Sequence, residues 1–99
     1  MTRDAVVTWL AARRPVAPPT LVEPMTRWLS DSPASLPEHL ALAGHALLDR
    51  VLARPDGGRE LALDLLAADA LVTYAFEAQA ELDAGGLVQV AQRIAGGRQ

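Results

Sequence analysis

The sequence predicts an all-α fold, a compact bundle of four or five helices built around a long central antiparallel pair. Three observations carry this. About half of the 99 residues are apolar, and that set is dominated by alanine and leucine with little isoleucine and few aromatics, a mix suited to close-packed helices rather than strands. Apolar residues recur at helical spacing along most of the chain. Proline- and glycine-rich stretches punctuate it at intervals suited to short interhelical turns, and none is long enough to divide it, so residues 1–99 read as one helical domain.

The first helix is expected over about Asp4 to Arg14, with Val6, Trp9, Leu10 and Arg13 on one face, and Pro15 followed by Pro18-Pro19 stops it. Arg13-Arg14 would sit favourably at its C-terminal end, where the helix dipole is negative. The second carries Leu21, Val22, Met25, Trp28 and Leu29 at helical spacing and ends near Ser30; Thr20 with Glu23 resembles a capping box, although Pro24 falls within the first turns.

Ser35-Leu36-Pro37-Glu38 is a stronger start signal, because the serine can cap and the glutamate can reach back. Helix three then runs to about Arg54. Leu36, Leu40, Ala43, Gly44, Leu47, Leu48, Val51 and Leu52 form one stripe along it, and Gly44 within that stripe permits close approach by another helix. "RPDGGRE" breaks the pattern, with Asp56 reading as the cap of an interhelical turn. Helix four continues to about Asp83, a span of about 39 Å, before Gly85-Gly86 closes it. A last short helix, Leu87 to Ala95, places Leu87, Val90, Ala91 and Ile94 on one side.

Charge and composition exclude several functions. Twelve acids against nine bases give a formal charge of −3, so no positive field exists to draw phosphate backbones, and nucleic-acid binding is not expected. All nine bases are arginine, and lysine and asparagine are absent, which points to a GC-rich bacterial genome. Without cysteine there is no thiolate nucleophile, disulfide or cysteine-based metal site. The N-terminus does not resemble a secretory leader, and the longest nearly uncharged run, Leu65 to Phe76, is far short of the ~20 residues a membrane span needs. The expectation is a cytoplasmic protein with neither cofactor nor metal.

Candidate chemistry is sparse. His39 and His45 point about 120° apart on one helix, too divergent to share a metal. His45 with Asp49 reads mainly as a surface ion pair and, as the sharper alternative, as a general base oriented by a carboxylate. No motif supports an enzyme. Arg59 follows two glycines at a helix start, where an anion can be held. Trp9 and Trp28 lack a basic surround, so they read as core or interface anchors. Asp69 stands inside the most apolar run of the chain, on the border of the apolar face between Leu65, Val72 and Phe76. There it is set in solvent, paired with an arginine or histidine of a neighbouring helix, or part of a ligand site.

The stretch "LAADALVTYAFEAQAEL" (66–82) resembles the helix that follows the first aspartate-rich motif of trans-isoprenyl diphosphate synthases, through Ala67, Asp69, Ala70, Leu71, Thr73, Ala75, Phe76 and Glu77. The two aspartate clusters that hold magnesium diphosphates in that family are absent here. The resemblance therefore implies a helix-pair packing mode around an apolar cavity, without the metal-dependent chemistry. Two functional expectations follow. One is a non-enzymatic interaction or assembly module, homodimeric or with another protein partner, using Trp9, Trp28 and Gly44 as interface residues. The other is a binder of an apolar, isoprenoid-like molecule between helices three and four, with Asp69 or Arg59 at its polar end.

Overall fold

The computed structural model describes residues 1–54 and 57–97, and among these the only regular secondary structure is α-helical, in four helices: α1 (Arg3–Ala11), α2 (Pro19–Thr26), α3 (Leu36–Leu52) and α4 (Arg59–Gly96). Pro55 and Asp56, and with them the expected aspartate-capped turn, lie outside the described residues.

Each helix starts for a local reason, though not always the expected one. Thr2 caps α1, its hydroxyl accepting from the Ala5 amide at 3.1 Å. Pro18 precedes α2 and Pro19 begins it, where a missing amide hydrogen costs nothing. The box read at Thr20 and Glu23 does not form, because Pro18 is the N-cap and Thr20 is already inside the helix; Glu23 pairs with Arg27, which donates to both carboxylate oxygens. Those hydrogen bonds hold the Glu23 carboxyl below its ordinary pKa. Ser35 sits at the N-cap of α3 in extended conformation, but its side chain makes no capping bond. Helix α4 starts after Gly58, whose φ of 120° only glycine adopts without strain.

The largest departure concerns Gly85-Gly86. The sequence predicts a helix end and a fifth helix there; the structure runs α4 unbroken for 38 residues, about 57 Å. Glycine lowers helix propensity but does not terminate a helix unless it enters the left-handed region, and neither glycine has a positive φ. The expected compactness is corrected with it: the radius of gyration is 16.7 Å against about 13 Å for a globule of this length, and the molecule measures 65 × 26 × 20 Å.

The expected central antiparallel pair is present as α3 against α4. The core joins Val6 and Leu10 of α1, Met25 of α2, Leu29 just after it, Leu40 and Leu47 of α3, and Ala67, Ala68, Leu71, Ala75 and Ala78 of α4. Four alanines on the buried stripe of α4 make that face shallow, and Gly44 of α3 lies against it. A Cβ built on Gly44 would stand 2.9 Å from Val72 Cγ2, 3.1 Å from the Ala68 carbonyl oxygen and 3.2 Å from Leu71 Cβ. The glycine thus lets two backbones approach within one chain.

Candidate functional site

The residues singled out from sequence do not converge. Asp69 is exposed on α4, and its carboxylate accepts no hydrogen bond among the described residues. Arg59, also exposed, lies ten residues away on the same helix, about 15 Å along the axis, so the two do not flank one site. His45 Nε2 and Asp49 Oδ2 stand 3.8 Å apart on an outward face of α3 with side chains 72% and 65% exposed, a surface pair without a cleft. No group of three metal-ligating side chains forms among the described residues, and no described helix is long and apolar enough to cross a membrane.

Trp9 is turned inward, its ring edge-to-face with Tyr74 of α4 at 6.2 Å and its Nε1 donating to Glu81 at 3.4 Å. Arg13 stacks 3.9 Å over the same ring and donates to Glu77 and Glu81. Hydrogen bonding to Glu81 raises its pKa above the ordinary arginine value, against an opposing desolvation. Arg13, read from sequence as a dipole partner of its own helix, therefore latches α1 onto α4. Trp28 is half-exposed under the Arg50 guanidinium, which lies 3.8 Å above its ring.

The buried carboxylate is Asp64, one and a half turns before Asp69. It is 6% exposed and accepts from Arg54 Nη2 at 2.6 Å, joining the two ends of the α3–α4 connection. The signal was present in the spacing: 64, 67, 68, 71, 75 and 78 form one helical stripe, and Asp64 begins it. Arg54 ends the preceding segment and supplies the counter-charge.

What distinguishes the surface is α4 itself. From Glu81 to Gly97 every residue is exposed, and the helix beyond Asp83 projects past the core as an arm carrying Leu87, Val88, Val90 and Ile94. On the folded half, Leu65, Val72 and Phe76 are exposed, as is Leu52 of α3. Beside Val72 and Phe76 an open groove of about 450 Å³ runs between α3 and α4, lined also by Pro37, Glu38, Ala41, Ala75 and Gln79.

Comparison with family models, curated proteins and solved structures found no match to this chain. Fold and surface together define a small all-helical protein with one tightly filled helix–helix contact and one long helix whose outer apolar face is exposed among the described residues.

Proposed function

We propose that the chain is a non-enzymatic helical assembly module that self-associates as a homodimer. The projecting arm of α4 carries the reading. A lone helix of about a dozen residues is marginal in water, and apolar side chains repeated along one are unusual on a finished monomer surface. A second copy covering them would supply the packing the arm lacks. The interface residues expected from sequence shift accordingly: Trp9 and Gly44 serve contacts inside the chain, Trp28 stays half-exposed, and the surface passes to α4.

The alternative, an apolar ligand held between α3 and α4, has less support. The two helices touch at Gly44, the space beside them is an open groove, and neither Asp69 nor Arg59 lines it. Sedimentation equilibrium from low micromolar concentration upward tests the proposal. A species of twice the 10.5 kDa chain mass supports it; a single 10.5 kDa species at every concentration overturns it.

A further inference from the structure

We infer that two copies pair antiparallel along α4, so that the arm of each lies in the groove between α3 and α4 of the other. This rests on the self-association proposed above and goes further by fixing its geometry.

The exposed stripe of α4 is symmetrically spaced. Leu65, Asp69, Val72 and Phe76 follow one another at intervals of four, three and four residues; after a gap of seven, Asp83, Leu87, Val90 and Ile94 repeat four, three and four. At about 100° per residue all eight fall within one sector of about 60° on α4, with Val72 at the edge that adjoins Ala68, Ala75 and Gly44 of the buried contact. The series reads the same from either end, with its midpoint between Gln79 and Ala80. A two-fold axis there sets Leu65 against the partner copy's position 94, Asp69 against 90, Val72 against 87 and Phe76 against 83. Such an interface is self-complementary, as a two-fold contact must be.

Area and shape agree. The six apolar members of the stripe are between 38% and 74% exposed. At roughly 150–200 Å² for each side chain when fully exposed, they offer on the order of 600 Å² per copy and about 1,200 Å² for the pair, the lower end of a specific interface. The groove lined by Pro37, Ala41, Val72, Ala75 and Phe76 adds a concave seat beside the folded half of the stripe. A parallel pair would lay arm on arm and leave this seat empty.

Charge separates the two orientations. A parallel pairing brings Asp69 against Asp69 and Asp83 against Asp83 across the seam, a repulsion that the antiparallel pairing removes by setting each acid opposite an apolar residue. The arm from Ala84 to Gly97 carries Arg93 and no acid, while Glu38 lines the groove and Asp69 stands on the stripe that would receive it. Asp69 then occupies the border of a helix pair formed between chains.

The chain has no cysteine of its own, so introduced thiols report the geometry directly. Positions 72 and 87 lie about 22 Å apart on one straight helix and cannot bridge within it. In the full chain, the double variant Val72→Cys with Leu87→Cys should convert mostly to a disulfide-linked dimer under mild oxidation, whereas Leu87→Cys alone should stay largely reduced. Sedimentation of the unmodified protein is run alongside. A dimer by mass in which Leu87→Cys alone cross-links efficiently shows a parallel pair and overturns the geometry while leaving self-association intact. A monomer by mass removes both. A monomeric product with an internal 72–87 disulfide shows the arm folded back on its own chain and overturns the inference.

Discussion

The two halves of α4 share one axis and an unbroken ladder of hydrogen bonds, yet different physics holds them. In the first half, Asp64, Ala67, Ala68, Leu71, Ala75 and Ala78 face α3 and the rest of the core. Carried past residue 80, the same helical face presents Leu82, Gly85, Gly86, Gln89 and Arg93, all of them exposed among the described residues. The first half is alanine- and leucine-rich; the second holds three glycines and the β-branched Val88, Val90 and Ile94, a weaker helical sequence with fewer contacts. Tertiary packing stabilises the one, while the other rests on propensity alone until something covers it.

Substitutions along α4 test that contrast, beginning with the largest effect. Leu71→Ala removes a fully buried side chain and should cost about 2–5 kcal/mol in urea unfolding. Were its cost below about 0.5 kcal/mol, the first half of α4 would be no better packed than the arm. Gly44→Val forces methyl groups toward the Ala68 carbonyl oxygen and Val72, and should cost about 1–3 kcal/mol by the same measurement. A neutral result would mean α3 and α4 stand farther apart than the structure places them.

Asp64→Asn leaves the half-exposed Arg54 without its carboxylate; a loss of about 1–3 kcal/mol is expected, while Asp69→Asn in the monomer should change stability by less than about 0.5 kcal/mol. Equal effects of the two would erase the distinction between the buried and the exposed acid. In the arm the sign reverses. Gly85→Ala meets nothing within 4 Å and should strengthen the helix by about 0.5–1 kcal/mol, read as slower amide exchange over residues 84–95. Faster exchange would mean that the glycine ends the helix, as its sequence context suggests. The smallest effect is that of Leu87→Ala, below about 0.5 kcal/mol at concentrations where only monomer sediments.

The sequence shows most of the helical layout because it is written in local terms. The stripe from Leu36 to Leu52 gave α3 nearly to its ends, and Gly44 announced a close helix contact by being small in an apolar row. What it hid was non-local or a balance of weak preferences. Gly85-Gly86 carries the same letters as a helix stop, and only backbone geometry separates a glycine that ends a helix from one that rides through it. Whether Asp64 or Asp69 is buried depends on where α3 and Arg54 arrive, and a rotation of about 140° along α4 exchanges the two faces. Arg13 joined a helix 64 residues away through Glu77, a pairing invisible in spacing.

The docking of α1 through Trp9 and Tyr74 has an optical consequence. Tyr74 is the sole tyrosine and Trp9 one of two tryptophans, with ring centroids 6.2 Å apart. At that separation, light absorbed by the phenol passes to the indole before it can be emitted. Trp9 therefore quenches Tyr74 emission while α1 sits on α4, and that quenching is lost when the helix lifts away. The protein thus carries a built-in gauge of one helix's attachment that needs no added dye.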